Sequence, residues 1–492
     1  MSRVLGFLAC LGLMVSLSAA AQTRDQNWDK CKADDPDTSI AGCTALLNSG
    51  QESTTNQATA HYNRGIAYND KKDPDSALKD FDEALRLKPD FANALNSRGN
   101  AYQNKNEYDR AISDYNEALR VDPNHALAYY NRGNAYAAKK DYDTAIDNYN
   151  HYVQLAPNDP DGFNNRGHAY MQKGDNDKAL EDYQAALRIN PNHAFAILNS
   201  GVAYIHKRLY TQAMDSLNHY VELAPNEADG YASRGDAYRH MMNYPAAIAE
   251  YQRTLQLDPK RALAYYNMGL SQSRQGQWET SIGSFDHYSS LAPEDADGFN
   301  NRGLAELELG RFEPAVADFN KGLAAKPNYQ YSFFDRGCAH YLEAKLGSAA
   351  TDFGLAIGVD SSKAMAVYSA LWLHLVRQKT HEDDAEDLSQ VAAKADLSSW
   401  PGPALKLFMG KATADEVMKA ALYSDPEIQS QQLCEANFYV GEDALLHGRR
   451  ISALASFKAA RDNCPKDYVE YAASLAEIKR MSAPPAPAAS GK

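Results

Sequence analysis

The sequence has fewer basic than acidic residues, and it lacks the motifs of common catalytic sites. It contains 50 lysines and arginines against 64 aspartates and glutamates, which gives a formal net charge of -14. Because the acidic residues are spread through the chain, this balance argues against nucleic acid as the main partner and favours solubility and a basic partner. No Gly-rich phosphate loop, HExxH motif, nucleophile elbow or CxxC pair is present. We therefore expect no enzyme, no cofactor and no metal site.

Long hydrophobic runs are also scarce, and the one that stands out lies near the N-terminus. Arg3 precedes an apolar run at 4–17, and small residues follow before Gln22. This order is typical of a cleavable secretory signal, and the run is too short to span a membrane comfortably. We predict cleavage after Ala21 and a periplasmic or secreted protein that does not span the membrane.

Cysteine is rare, with six residues in the chain, one of them inside the predicted signal. An oxidising compartment favours disulfides. Cys31 and Cys43 are close in sequence on either side of a turn-like segment, and Cys434 and Cys464 flank a predicted helical hairpin, whose two ends lie close together. We predict two disulfides, each worth roughly 3 kcal/mol from loop closure, between Cys31 and Cys43 and between Cys434 and Cys464. Cys338 would then remain unpaired.

What the sequence does contain is an internal repeat with a 34-residue period. A glycine recurs at this interval in nine successive units, at Gly65, Gly99, Gly133, Gly167, Gly201, Gly235, Gly269, Gly303 and Gly337. When each unit is counted from seven residues before its glycine, alanine usually occupies position 20, an aromatic residue usually occupies position 24, and proline closes eight units. Small residues let two antiparallel helices approach closely, and proline ends the second helix. The repeat predicts nine helix pairs.

This pattern and its period resemble the tetratricopeptide repeat (TPR). The resemblance implies an all-α fold, a superhelical solenoid of antiparallel helix pairs. The open end of such a stack exposes apolar surface, so a terminal cap is needed. We predict a signal peptide at 1–21, a capping hairpin at 22–57, nine repeats at 58–363, a divergent helical segment at 364–433, a tenth repeat-like unit with a closing helix at 434–481, and a disordered tail at 482–492.

Two positions of the repeat change together, which predicts a contact between the two helices of one unit. Position 7 is arginine in seven units, and position 23 of the same units is acidic or asparagine, as in Arg98 and Asp114. Where arginine is replaced, by Ser200 and Met268, position 23 is a serine. We infer a polar clasp in which arginine can bind a carboxylate through two hydrogen bonds.

A column of asparagines gives the clearest functional signal. Position 6 is asparagine in six units, at Asn63, Asn131, Asn165, Asn199, Asn267 and Asn301. In tetratricopeptide proteins this position lies on the first helix, which lines the concave side. An amide offers a donor and an acceptor together, so it can bind a peptide backbone whatever the peptide's side chains are. The alternative is that each asparagine hydrogen-bonds within the array itself.

The C-terminal part resembles a narrower family, the NlpI-type periplasmic repeat proteins. The resemblance covers roughly residues 364–481 and rests on Trp400-Pro401, Leu405 to Gly410, Cys434 to Glu442, and Glu470-Tyr471. Proteins of that family are adaptors that hold cell-wall hydrolases and a processing protease together at the envelope. The resemblance implies that this part docks a second protein.

Together these observations predict a non-enzymatic periplasmic scaffold. Its concave face would bind peptide segments or protein partners, and it would recruit an envelope hydrolase or protease. Two alternatives remain open. The chain could be a regulatory subunit or an enzyme with activity in the 364–433 segment, or a structural assembly factor that associates with itself.

Overall fold

The structure is a computed structural model that describes residues 23–466 and 468–482, and these residues form helices and no strands. The predicted all-α fold is therefore confirmed. The predicted signal peptide and almost all of the predicted C-terminal tail lie outside the described residues. The chain divides into two compact units, one ending at Pro225 and the other beginning at Asn226.

The first unit begins with a helical hairpin and continues with five helix pairs. Its helices are α1 (23–31), α2 (Pro36–Ser49), α3 (Thr54–Asp70), α4 (Pro74–Leu87), α5 (Ala92–Asn104), α6 (Tyr108–Val121), α7 (Ala126–Ala138), α8 (Tyr142–Leu155), α9 (Pro160–Gln172), α10 (Asn176–Ile189), α11 (Ala194–His206) and α12 (Tyr210–Leu223).

The second unit contains four more pairs, followed by helices that do not keep the 34-residue period. The four pairs are α13 (Ala228–His240), α14 (Tyr244–Leu257), α15 (Ala262–Arg274), α16 (Trp278–Leu291), α17 (Ala296–Glu308), α18 (Phe312–Ala325), α19 (Gln330–Leu342) and α20 (Leu346–Val359). The remaining helices are α21 (Ala364–Thr380), α22 (Ala385–Ala392), α23 (Gly402–Phe408), α24 (Ala414–Ala420), α25 (Pro426–Leu446), α26 (Arg450–Asn463) and α27 (Val469–Ser482).

The glycine column is explained by close packing between the two helices of a pair. A Cβ atom added to Gly99 would lie 2.5 Å from the ring of Tyr115, which is closer than two carbon atoms can approach. Gly303 meets Phe319 in the same way, at 2.7 Å. Because protein interiors are close-packed, a methyl group at these positions would force the ring or the helix to move.

The turn between the two helices of each pair has a feature that the sequence pattern did not reveal. One residue in every turn has a positive φ angle, and the nine residues follow the same period as the glycine column, at Lys72, Asn106, Lys140, Gly174, Arg208, Met242, Gly276, Gly310 and Ala344. Only three are glycine, although this region of backbone space normally favours glycine. The helix packing therefore fixes the turn, and the residue type does not.

The predicted arginine clasp is present. Arg98 donates from Nε and Nη2 to both carboxylate oxygens of Asp114, at 2.8 and 2.7 Å. The same two-bond geometry links Arg64 to Asp80, Arg166 to Asp182, Arg302 to Asp318 and Arg336 to Asp352. The hydrogen bonds to Asp114 raise the pKa of Arg98. Each clasp therefore holds an ion pair that is largely withdrawn from water.

The arginines also reach the preceding repeat, which the sequence pattern did not predict. Nη1 of Arg98 donates to Asp82 at 2.8 Å, and Nη1 of Arg166 donates to Asn150 at 2.8 Å. These acceptors lie on the second helix of the repeat before. One guanidinium group thus joins three helices, which couples the packing within a repeat to the packing between repeats.

The last helices of the second unit share a hydrophobic cluster with α19 and α20. Trp372 of α21 is fully buried at its centre, stacked on Phe438 with ring centroids 5.3 Å apart. Helices α25 and α26 reproduce the packing of a repeat, because Gly441 lies against the ring of Phe457 and the turn between them has Gly448 at φ 73°.

Both predicted cysteine pairs are at bonding distance. The sulfur atoms are 2.00 Å apart for Cys31 and Cys43, and 1.96 Å apart for Cys434 and Cys464. Cys338 is buried without a disulfide partner, and burial raises the pKa of its thiol. Among the described residues, no helix combines the length and apolar character needed to cross a bilayer.

Candidate binding surface on the first helices

The first helices of successive repeats form one continuous face in each unit. Successive first helices, such as α5 and α7 or α17 and α19, lie closer together than successive second helices do. A stack of helix pairs curves toward the side on which its helices are closer. The first helices therefore line the inner side of each unit. All six predicted asparagines lie on these helices and are half-buried.

Five of the six asparagines use their amide nitrogen to bind the preceding repeat. Nδ2 of Asn131 donates to Oδ1 of Asn96 at 3.0 Å, and Nδ2 of Asn199 donates to Oδ1 of Asn164 at 3.1 Å. In both cases the acceptor occupies position 5 of the repeat before. Hydrogen bonding within the array, the alternative that the sequence left open, is thus present.

Where position 5 is tyrosine, its hydroxyl takes the place of the asparagine oxygen. Nδ2 of Asn165 donates to the hydroxyl of Tyr130 at 2.9 Å, and Nδ2 of Asn301 donates to that of Tyr266 at 3.2 Å. Burial raises the pKa of both tyrosines, that of Tyr266 to about 12. Both hydroxyls therefore keep their protons at neutral pH and remain donors as well.

The two remaining asparagines have different acceptors. Nδ2 of Asn267 donates to Asp236 at 2.9 Å, at position 9 of the preceding repeat. Asn63, in the first repeat, has no earlier repeat beside it, and its amide nitrogen lies 3.8 Å from Sγ of Cys31 in the N-terminal hairpin.

Part of the hydrogen-bonding capacity of the column is unused. A side-chain amide has two N–H donors and an oxygen acceptor. Asn131, Asn199 and Asn267 each donate to one residue, and none of the described residues donates to their oxygens. These oxygens are not enclosed in the protein either. Each of these amides can therefore offer one N–H and one C=O to a ligand on the inner face.

The inner face also has an apolar component, of which the sequence reasoning named only Tyr331. Large apolar side chains that are more than half exposed lie in the first turn of alternate first helices, Leu127 and Phe195 in the first unit and Leu263 and Tyr331 in the second. They all occupy position 2 of their repeats, so they recur in every second repeat. That alternation, visible in the sequence, could have identified them.

The intervening repeats carry aspartate at position 2, and each aspartate binds the segment just before the next first helix. Asp161 lies 2.9 Å from Nε2 of His193, and Asp229 lies 2.5 Å from Nη1 of Arg261. Asp297 accepts from the hydroxyl of Tyr329. The edge of the inner face therefore alternates between exposed apolar residues and aspartates that already have partners.

Metal chemistry has no support in this geometry. Across the described part of the chain, no group of three or more histidine, cysteine, aspartate or glutamate side chains could hold a metal ion. The acidic residues of the inner face bind neighbouring donors one by one.

Comparisons with known proteins identify the repeat. Models described as tetratricopeptide repeat match residues 58–91, 96–160, 160–193 and 266–329, and a model described as TPR repeat matches 235–276. These matches cover most of the predicted array.

Several solved structures are similar to parts of the chain. YrrB, described as a TPR protein with an unusual peptide-binding site, is 25% identical over 38% of this chain and 96% of its own, with a TM-score of 0.33. MamA is 30% identical over 33% of this chain and 94% of its own, with a TM-score of 0.31. A tetratricopeptide repeat protein from Parabacteroides merdae is 18% identical over 57% of this chain and 97% of its own, with a TM-score of 0.39.

Proposed function

Because the chain is built on an array of tetratricopeptide repeats, we propose that it is a non-enzymatic scaffold whose inner face binds an extended segment of a partner protein. The observation that supports this most directly is the set of open amides. Asn131 and Asn199 in the first unit, and Asn267 in the second, each have one N–H and one C=O available on that face. An extended backbone presents the complementary groups, one N–H and one C=O in every residue.

The exposed apolar residues give this surface a second way to hold a chain. Leu127 and Phe195 stand at the edge of the inner face of the first unit. Full burial of an exposed side chain of this kind contributes about 1.5–3 kcal/mol, and covering the exposed half of each would contribute about half of that. Backbone hydrogen bonds would therefore supply general affinity, and apolar contacts would select which segments bind.

The proposed location is the periplasm or another extracytoplasmic space. Two cysteine pairs at bonding distance suit an oxidising compartment. The resemblance of residues 364–481 to NlpI-type adaptors further suggests that the C-terminal helices dock a second protein, such as an envelope hydrolase or protease. The scaffold would then bring that protein close to the segment held on the repeats.

The triple variant Asn131→Ala, Asn199→Ala and Asn267→Ala removes the three open amides and tests the proposed mode of binding. Its affinity for extended peptides should fall at least tenfold, because each lost hydrogen bond contributes about 1 kcal/mol. The measurement is the binding of the full-length protein to an array of unstructured peptides, followed by fluorescence anisotropy on the best binders. Melting curves should show a moderate loss of stability, since each amide also binds the preceding repeat.

A matched control is available on the second helices. Gln154, Gln184 and Gln212 are exposed amides of the first unit, and their side chains make no hydrogen bond to any described residue. Changing these three to alanine should leave peptide binding unchanged. If the asparagine triple variant is folded and binds peptides as the wild type does, the proposed mode of binding is wrong.

A further inference from the structure

A cleft of about 520 Å³ lies in the second unit, where the C-terminal helices cover the inner face of the last repeats. Its walls come from α15, α17 and α19 on one side and from α21, α25 and the region of α27 on the other. Its volume is within the range of small-ligand sites. Asn301, the last asparagine of the column, and Asp335, which occupies the same position in the next repeat, both line it.

Four carboxylates line this cleft. Asp297 is half-buried and accepts from the hydroxyl of Tyr329, and the other three are each more than nine-tenths buried. Asp335, Glu435 and Glu470 are 8%, 6% and 3% exposed. Asp335 accepts from Nδ2 of Asn300 through Oδ2, at 2.5 Å, and no described residue donates to its Oδ1. Glu435 accepts through Oε2 from the hydroxyl of Tyr368 and from Nε1 of Trp400, at 2.6 and 2.5 Å, while its Oε1 likewise has no donor among the described residues.

These three carboxylates lack the cationic partner that nearly every other buried carboxylate among the described residues has. Asp80, Asp114, Asp182, Asp318 and Asp352 pair with arginines, and Glu477 pairs with Lys379 and Arg480. Within the described residues, no lysine, arginine or histidine forms an ion pair with any of these three carboxylates of the cleft. An unpaired charge in a protein interior is costly, so these groups can ionise at low cost only beside a cation from outside the chain.

The pKa values of the three carboxylates are raised, as expected for buried acids without a cationic partner. Burial raises the pKa of Asp335 to about 7, with the nearby charge of Glu470 adding to the effect. Burial and the same neighbour raise the pKa of Glu435 to about 8, and burial raises the pKa of Glu470. A cation in the cleft would favour the ionised forms of all three groups.

The remaining walls indicate what kind of cation fits. Tyr266, Tyr331, Phe334 and Tyr368 present aromatic surface to the cleft. Aromatic faces attract ammonium and guanidinium groups and also cover the attached methylene chain. A bare metal ion fits poorly, because the described carboxylates are not grouped as metal ligands. The cleft is also much larger than such an ion.

We propose that this carboxylate cleft binds the ammonium or guanidinium group of a lysine or arginine side chain carried by the segment that the repeats hold. The proposal rests on the proposed peptide-binding function, because the cleft continues the asparagine column. Asp335 stands where the next asparagine would be, so the surface that recognises the backbone ends at a site that recognises a charged side chain. The excess of acidic residues in the chain suits such a basic partner.

The first test compares peptides on the wild-type, full-length protein. One peptide is a short, capped alanine-glycine sequence with a single central lysine, and the second has norleucine in its place, which keeps the methylene chain and removes the charge. The lysine peptide should bind at least tenfold more tightly by calorimetry, as expected for a charge-assisted contact withdrawn from water. Equal affinities would overturn the proposal.

Free n-butylamine in the same assay tests the source of the cation. It should compete with the lysine peptide only at much higher concentration, because it lacks the backbone contacts. If n-butylamine binds as tightly as the lysine peptide, the ligand is a free amine and the proposed peptide source is wrong.

Variants then locate the effect. Asp335→Asn and Glu435→Gln keep the shape and acceptor oxygen of each side chain but remove its charge, so the preference for lysine over norleucine should fall to near one. The matched control is Glu442→Gln, which neutralises a carboxylate that is equally buried but lies outside the cleft. A lysine preference that survives both cleft variants, or that is lost in the control, would contradict the assignment. Should a cleft variant fail to fold, the wild-type comparison still decides.

The two proposals fail in different ways. If the asparagine triple variant loses binding but lysine and norleucine peptides bind equally, the inner face binds peptides and the cleft does not read their charge. If the asparagine variant binds normally while the lysine preference persists, the cleft is a cation site that does not depend on the asparagine column.

Discussion

Changing Asp335 to asparagine should stabilise the protein, and the gain should depend on pH. The carboxylate has a pKa near 7 in the folded protein and an ordinary value of 3.8 when exposed. Between these values the folded state holds a proton that the unfolded state has released, so the free energy of unfolding of the wild type falls as pH rises. Each pH unit lowers the free energy of unfolding by about 1.4 kcal/mol, so the total loss from ionising Asp335 reaches about 4 kcal/mol above pH 7. Asparagine cannot ionise, so the variant does not suffer this loss.

The assay is urea unfolding of both proteins at several pH values, followed by tryptophan fluorescence. The two curves should coincide below about pH 4 and separate progressively up to about pH 7, with the variant more stable. Asp318→Asn is the control, and it should have the opposite effect. It removes the buried carboxylate that accepts two hydrogen bonds from Arg302, so it should cost about 2 kcal/mol at neutral pH. If Asp335→Asn is destabilising at neutral pH, or shows no pH-dependent gain, the account of an unpaired buried charge is wrong.

Two further predictions concern the repeat itself. Exchanging the charges of one clasp, Arg98→Asp with Asp114→Arg, should recover part of the stability lost in each single variant, and purely additive losses in chemical unfolding would contradict the clasp. Gly99→Ala should cost about 1–3 kcal/mol in the same assay, because its Cβ would meet the ring of Tyr115 at 2.5 Å. By contrast, Gly347→Ala, at a helical position with open space around it, should stabilise by about 0.5–1 kcal/mol.

The features that follow the repeat could be predicted from the sequence. The glycine column implied close helix packing, and the joint change of positions 7 and 23 implied the clasp, because nine copies of one unit show which positions vary together. One disulfide followed from closeness in sequence, and the other from the position of its cysteines at the two ends of a predicted helical hairpin. In each case the residues in contact belong to one unit or to neighbouring segments, so their separation in sequence indicates how close they lie in space.

The rest depended on contacts that the repeat does not show. Four asparagines bond to position 5 of the preceding repeat, which is asparagine in two cases and tyrosine in two, and Asn267 bonds to position 9, so no single pair of positions varies in a simple way. The carboxylate cleft joins Asp335, Glu435 and Glu470, from three separate segments. The one signal in the sequence was Asp335 itself, an acid where six other repeats carry asparagine.

The alternation of tyrosine and asparagine at position 5 limits how such an array can grow. In three successive repeats, Asn96, Tyr130 and Asn164 each accept a hydrogen bond from the asparagine of the following repeat. Copying one of these repeats alone would place two identical acceptors side by side. Copying a pair of adjacent repeats would preserve the alternation, so duplication in steps of two repeats would lengthen the array without disturbing this part of its inner surface.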